Sequence, residues 1–148
     1  MKLSQFVPLL ALLKIAVANP IYRSASASIV ANSGLLKVDF FEIALETDQL
    51  VRYSFDAMGN VEYGCANKQG DMGKRTETHD FSVFGSAQFV SAATGAIIGF
   101  VVANEVPTPA IGCTKSETLT RISLSYSDIN FCDNSNSACV VVTPVSSP

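Results

Sequence analysis

The run of residues 50–65, which reads LVRYSFDAMGNVEYGC, constrains the fold more than any other part of the chain. Apolar and polar residues alternate on both sides of Met58-Gly59-Asn60. A period of two around a Gly-Asn turn is typical of a β-hairpin that buries one face. Because the second strand of this hairpin ends on Cys65, we expect a covalent link from there to another part of the fold.

The first 18 residues have the pattern of a secretory signal peptide. A basic start, Met1-Lys2, precedes the apolar run FVPLLALLKIAVA, which ends in the small residues that a signal peptidase recognises. A membrane anchor is the alternative, but the run is too short for one and Lys14 interrupts it. We therefore expect cleavage after Ala18.

The charge balance argues against nucleic-acid and membrane partners. Loss of Lys2 and Lys14 with the signal leaves eight of the ten basic residues against 13 acidic residues. No basic stripe remains that would bind a nucleic-acid backbone or an anionic bilayer, and we expect no membrane span. No glycine-rich phosphate-binding motif occurs, and we predict neither a cofactor nor a metal.

Four cysteines lie in the mature chain: Cys65, Cys113, Cys132 and Cys139. An even number in a secreted chain predicts two disulfides, whereas zinc would require a CxxC-type pair and more than one histidine. Three pairings are possible. The turn-rich segment 133–137 favours a local Cys132–Cys139 pair, which would leave Cys65 with Cys113 as a long-range link.

The segments before the second cysteine mix strand patterns with one long polar run. Residues 21–34 predict a tether or a first edge strand. Residues 35–45 predict a strand with a β-bulge at Phe41, where the alternation shifts. Residues 66–80, ANKQGDMGKRTETHD, are polar and charged and predict the longest loop of the molecule.

The rest of the chain predicts further strands. Residues 81–90 and 96–103 predict a hairpin around a turn that contains Gly95. The second arm, AIIGFVVA, is apolar at nearly every position, so we expect it to be covered on both faces or to lie centrally in the sandwich. Three further segments complete the pattern: an alternating strand at 119–126, a last hairpin of 128–132 with 138–143, and a disordered tail at 144–148.

Seven or eight strands of this kind predict an all-β fold. We expect one antiparallel β-sandwich over residues 35–143, immunoglobulin-like in its general architecture, with two disulfides.

Three stretches together resemble a loose group of uncharacterised small secreted proteins, mostly fungal. They are Tyr63 to Gly70, the strand pair from Gly85 to Phe100, and Cys113 followed by Glu117-Thr118-Leu119 and the serine-alternating strand to Tyr126. The resemblance covers roughly residues 51–129. It implies a secreted β-fold in which Cys65 and Cys113 are the shared pair, and it brings no catalytic residues. The chain departs from the group at Cys132 and Cys139, and at Gln69, where the group tends to have glycine.

Catalytic and metal sites are weaker interpretations of the polar residues. His79, the only histidine, lies in the predicted loop without a positioned nucleophile, so we interpret it as an exposed loop residue. Four carboxylates of the first strands fit the solvated face of a sheet better than a glycosidase pair: Asp39, Glu42, Asp56 and Glu62. Oxygen-bearing residues near the last hairpin suit calcium but lack the order of a calcium loop and fit turns better: Asp128, Asn130, Asp133, Asn134 and Asn136.

These observations predict a small secreted non-enzymatic protein that acts outside the cell through a protein-binding surface, of the effector-like type that contacts a host. Loops on a rigid sandwich are the expected contact elements. The candidate binding residues are Lys68, Asp71, Lys74, Arg75 and His79 in the long loop, and Asp133, Asn134 and Asn136 at the tip of the last hairpin. A carbohydrate-binding or cell-wall module is the alternative, although the chain has no Trp; a small hydrolase would require a site that the sequence does not display.

Overall fold

A computed structural model describes residues 19–148, and within them it contains eight β-strands and no helix. The strands are β1 (Ile21–Ile29), β2 (Leu36–Ile43), β3 (Leu50–Ala66), β4 (Met72–Val90), β5 (Ile97–Val102), β6 (Thr118–Asp133), β7 (Ala138–Val142) and β8 (Val145–Ser147). The predicted signal peptide lies outside the described residues. Between residues 19 and 148 no helix has the length and apolar character needed to cross a bilayer.

The strands form two antiparallel sheets that pack face to face. The small sheet has the order β1-β2-β5, and the large sheet has the order β4-β3-β6-β7, with β8 also paired to β6. Disulfides join Cys65 to Cys113 and Cys132 to Cys139. The predicted antiparallel β-sandwich with two disulfides is therefore confirmed.

The core lies between the inner faces of the two sheets. The aromatic rings of Phe40, Tyr53 and Phe131 form its centre, with centroid distances of 4.3 Å from Phe40 to Tyr53 and 4.9 Å from Phe40 to Phe131. Aliphatic side chains from β2, β3, β5 and β6 surround these rings. They include Leu36, Val38, Val51, Val61, Val101, Leu124 and Ile129.

The predicted hairpin at Met58-Gly59-Asn60 is wrong, because β3 runs without a turn for 17 residues. The odd-numbered residues on both sides of Gly59 face the core, so a single alternation continues through it. Gly59 allows the ring of Phe81 to pack directly on the backbone of β3, since a Cβ at this position would meet that ring. The hairpin that does exist joins β3 to β4 through a short turn at residues 67–71.

The predicted long loop at residues 66–80 is also wrong, because β4 begins at Met72 and occupies most of it. Pairing with β3 satisfies the backbone hydrogen bonds of this segment regardless of its polar side chains. As β4 is an edge strand of the large sheet, its charged residues lie where edge strands commonly carry them.

The strand β2 contains no bulge at Phe41. Its even-numbered residues from Leu36 to Glu42 all face the core, and the alternation is unbroken because Glu42 is itself buried. The register irregularity lies on the neighbouring strand β1, between Tyr22 and Ser24. Of the two alternatives for residues 21–34, the edge strand is the one that forms.

The predicted hairpin of residues 81–90 with 96–103 is wrong in its pairing. The chain turns at Gly95, whose φ of 68° fits the left-handed position expected there, but β5 crosses to the small sheet and pairs with β2. The outer face of β5 is uncovered, and its side chains Ile98 and Phe100 are 79% and 53% exposed. Because β5 is also an edge strand, it is neither covered on both faces nor central in its sheet, and both expectations are wrong.

The C-terminal region confirms the last hairpin and corrects the tail. Strands β6 and β7 pair in register with Cys132 opposite Cys139. Residues 145–147, predicted as a disordered tail, form β8 against residues 124–126 of β6. The serine and valine side chains of β8 suit an edge strand, and the pairing satisfies its backbone groups.

Candidate functional site

The candidate binding residues fall at opposite ends of the large sheet. Lys68, Asp71, Lys74 and Arg75 lie where β3 ends, whereas Asp133 pairs with a residue near the start of β3. The 13 residues that separate these positions along β3 correspond to roughly 40 Å at the usual rise of a strand. The two groups therefore belong to separate surfaces.

The turn between β3 and β4 presents Lys68 and Asp71 to solvent. The side-chain oxygen of Asn67 accepts hydrogen bonds of 2.9 Å from the backbone N–H groups of Gln69 and Asp71, which fixes the turn. This is the usual role of asparagine in turns, where its amide replaces a backbone partner. The turn therefore holds its charged residues on a rigid support.

A cleft of about 480 Å³ lies beside this turn, lined by Gly73, Lys74, Arg75, Thr114 and Glu117. The segment that carries Thr114 is attached to β3 by the Cys65–Cys113 disulfide. It is also attached to β4, because a guanidinium nitrogen of Arg75 donates a 2.8 Å hydrogen bond to the carbonyl oxygen of Gly112. The cleft is therefore built from two chain segments, the start of β4 and residues 112–117, which the disulfide and this hydrogen bond hold in place.

The acidic side chain of the cleft is kept ionised by its neighbours. Glu117 Oε2 accepts hydrogen bonds of 3.0 Å from both the backbone N–H and the hydroxyl of Thr114. These hydrogen bonds lower the pKa of Glu117, and the charge of Arg75 lowers it further. Lys74 is exposed and, among the described residues, makes no ion pair. The cleft thus offers a free cation beside a fixed carboxylate.

The interpretation of His79 as an exposed loop residue is wrong. His79 lies on β4 with its side chain on the inner face of the sheet and is half-buried. Its Nε2 atom is 2.6 Å from Oε1 of Glu77, two residues earlier on the same face. Between residues 19 and 148, no group of three or more His, Cys, Asp or Glu side chains could hold a metal ion.

The tip of the last hairpin is organised by a buried acid. Asp133 Oδ1 accepts hydrogen bonds from the N–H groups of Ser135 and Asn136, and its Oδ2 accepts one of 2.6 Å from the Asn136 amide. Asp133 is fully buried, so it stabilises the tip and is not a contact residue. Asn134 is exposed and donates a 2.8 Å hydrogen bond to the hydroxyl of Ser54. Asp128 and Asn130, also considered as calcium ligands, lie on β6.

The interpretation of the strand carboxylates as a solvated face is wrong for Glu42. This residue is 0% exposed and receives a hydrogen bond of 2.5 Å from the hydroxyl of Tyr53. Burial raises the pKa of Glu42 to about 7, against the hydrogen bond from Tyr53, and the charge of Asp133 raises it further. Burial also raises the pKa of the Tyr22 and Tyr53 hydroxyls. These groups lie inside the sandwich and form a polar cluster in its core.

Sequence reasoning identified Lys74 and Arg75 but missed the residues opposite them in the cleft. A signal was present, because Thr114 and Glu117 have the Thr-x-x-Glu spacing of a capping box, in which the two residues hydrogen-bond reciprocally. Half of this pairing forms, because the Thr114 N–H donates to the Glu117 carboxylate, whereas the Glu117 N–H donates at 3.0 Å to the Thr114 carbonyl oxygen and not to its hydroxyl. The proximity of this turn to β4 depends on the disulfide, which no local pattern reveals.

Comparisons with protein-family models, curated proteins and solved structures found no match.

Proposed function

We propose that this is a non-enzymatic extracellular protein that binds an acidic segment of another protein through one end of its large sheet. The contact surface is the charged cleft between β4 and the 112–117 segment, together with the turn at 67–71. The observation that carries the proposal is the convergence of Lys74, Arg75 and Glu117 on a cleft fixed by a disulfide.

The distribution of charge supports an acidic partner. Residues 62–78 and 112–122, which form this end of the molecule, contain five basic and four acidic residues. The other described residues contain three basic and nine acidic residues. One end of an acidic molecule is thus close to neutral or weakly positive, and this asymmetry orients the protein toward a negatively charged partner.

The extracellular location is supported by two features. Two disulfides are consistent with an oxidising compartment, since paired cysteines are rare in the cytosol. The signal-peptide pattern of residues 1–18 directs a chain to the same compartment. The resemblance to small secreted, mostly fungal proteins favours a host protein as the partner, because small cysteine-containing proteins that fungi export are frequently effectors.

A matched pair of charge reversals tests the contact surface. Lys74→Glu changes an exposed side chain of the cleft, and Arg23→Glu makes the same change on exposed β1 in the small sheet. The probe is a fluorescent oligo-glutamate peptide, whose binding to the disulfide-bonded protein is followed by anisotropy. We expect Lys74→Glu to weaken binding about fivefold, on the order of 1 kcal/mol for one exposed charge pair, and Arg23→Glu to leave it unchanged.

Equal weakening by both variants would show that only the net charge matters, and it would contradict the assignment of the cleft. Peptide binding that neither variant changes would contradict it as well.

A further inference from the structure

A second cleft, of about 360 Å³, lies on the large sheet far from the charged one. It is lined by Arg52, Tyr53, Ser86, Ala87, Gln88 and Asn134. Because side chains alternate along a strand, Tyr53 and Ala87 point toward the core and contribute backbone to the floor. The walls are the polar side chains of the outer face.

The strand register brings these polar side chains together. Arg52 on β3 is paired with Gln88 on β4, and Ser54 is paired with Ser86 in the next row. Asn134 closes one side, because its N–H donates a 2.8 Å hydrogen bond to the Arg52 carbonyl oxygen. Among the described residues, the side chains of Arg52, Ser86 and Gln88 form no hydrogen bond within the protein, and Arg52 is bonded only through its backbone. Their donors and acceptors are available to a ligand.

An exposed aromatic ring borders this polar group. Phe84 lies two residues before Ser86 on the same outer face and is 59% exposed. Its cross-strand neighbour is Asp56, also exposed. This ring contributes little to the core, and unlike the similarly exposed Phe100 it lies next to the polar side chains of the cleft, where it is available to pack against a ligand.

We propose that this outer face binds a neutral glycan. The apolar face of one pyranose ring would pack on the Phe84 ring at the border of the cleft, and hydroxyl groups of the adjoining sugar units would hydrogen-bond to Ser86, Gln88 and Arg52, because Gln88 lies four residues from Phe84 along β4, roughly 13 Å. Hydroxyl-rich rings suit this arrangement, since Arg52 supplies donors and Gln88 and Ser86 supply both donors and acceptors beside an aromatic ring. A neutral sugar is favoured over an acidic one because Asp56 lies beside the ring. The site extends the carbohydrate-binding alternative from the sequence, and its residues are distinct from the charged cleft.

Retention of the disulfide-bonded protein on insoluble β-glucan, chitin, cellulose and xylan tests this site. The variant is Phe84→Ser, and the matched control is Phe100→Ser, a similarly exposed ring on the outer face of the small sheet. Both rings are outside the core, so both variants should fold. We expect saturable retention on at least one polysaccharide, competed by its soluble oligosaccharide. Phe84→Ser should weaken this retention at least tenfold and Phe100→Ser less than twofold.

A second variant separates this site from the proposed protein-binding surface. Gln88→Ala should also weaken glycan retention, and Lys74→Glu should not change it. Retention that survives Phe84→Ser, or no retention on any of the four polysaccharides, would overturn the glycan site and leave the charged cleft unaffected. Retention lost in Lys74→Glu alone would also overturn it, because binding would then belong to the charged cleft.

Discussion

The hydroxyl of Tyr53 on the large sheet donates a 2.5 Å hydrogen bond to Oε2 of Glu42 on the small sheet. The other carboxyl oxygen of Glu42, Oε1, is buried without a hydrogen-bond partner. The titratable groups that face Glu42 are Tyr22 on β1, Tyr53 on β3 and Asp133 at the end of β6, and none of them is a cation. The core therefore accommodates Glu42 as a neutral acid and links the two sheets through it.

The stability of the fold should decrease as the pH rises. Burial raises the pKa of Glu42 from 4.5 to about 7, so between these values the folded state keeps a proton that the unfolded state has lost. The contribution of Glu42 to the free energy of unfolding is therefore fully present below about pH 4.5 and decreases until the pH has passed about 7. The loss is on the order of 3 kcal/mol. Urea unfolding at several pH values across this range measures it.

Glu42→Gln should remove this decrease, because glutamine has the shape of the neutral acid and no proton to lose. The control is Glu46→Gln in an exposed turn, which should retain the pH dependence of the wild type. A Glu42→Gln variant that still loses stability over the same interval would show that another group is responsible.

Removal of the Tyr53 hydroxyl should destabilise the protein and move its pH dependence. In Tyr53→Phe both carboxyl oxygens of Glu42 lack a partner, which costs about 1–3 kcal/mol for a buried polar group. The hydrogen bond lowers the pKa of Glu42 in the folded state, so its loss should extend the decrease in stability to higher pH, while the decrease still begins near pH 4.5. Tyr126→Phe is the control, because its hydroxyl bonds the Gly34 carbonyl oxygen at 2.7 Å instead. Tyr126→Phe should lower the free energy of unfolding without changing its pH dependence. An equal change of the pH dependence in both variants would contradict the assignment of the effect to the Tyr53–Glu42 hydrogen bond.

The two disulfides should differ in their contributions to stability. Cys65 and Cys113 are 48 residues apart, and Cys132 and Cys139 are seven apart. In the chain-entropy model the longer loop contributes about 4 kcal/mol and the shorter one about 2 kcal/mol. Urea unfolding of the two double Cys→Ala variants measures the difference. A larger loss from the Cys132/Cys139 variant would contradict this order.

Gly59 should not tolerate a methyl group. A Cβ there would meet the ring of Phe81, so Gly59→Ala should cost about 1–3 kcal/mol through overpacking. Gly112→Ala is the control, because the space around Gly112 is open and its loss of stability should be within about 0.5 kcal/mol. Thermal unfolding compares the two. A neutral Gly59→Ala would indicate that β3 is not continuous at this position.

Much of the fold could be predicted because the inner faces of the sheets alternate strictly. The alternation around Leu124 and Tyr126 and the hairpin closed by Cys132 and Cys139 are local patterns, and both form, although the predicted strands 119–126 and 128–132 are one continuous strand, β6. Gly59 next to Asn60 predicts a turn, but a glycine within a strand can also make room for an aromatic ring, as Gly59 does for Phe81. The unchanged parity of the buried residues across it was the signal to the contrary.

The errors that matter for function arose where a side chain's polarity disagreed with its position. Glu42 interrupts the apolar pattern of β2, and the interruption predicts a bulge at Phe41. In the structure the alternation of buried and outward residues continues, because Glu42 is itself buried. The polar side chains of segment 72–80 predict a loop. The segment nevertheless belongs to β4, because pairing at an edge strand does not require apolar residues. The exposed Phe84 and Ile98 could not be identified, since an apolar residue on a strand does not reveal which sheet or which face it occupies.

An NMR titration of isotope-labelled protein with an oligo-glutamate peptide tests the proposed function most directly, because it locates the contact on the chain. We expect saturable shifts of the Gly73, Lys74, Arg75 and Thr114 amide signals, with those of Arg52 and Gln88 unchanged. Peptide binding that shifts signals elsewhere and leaves the cleft residues unmoved would contradict it.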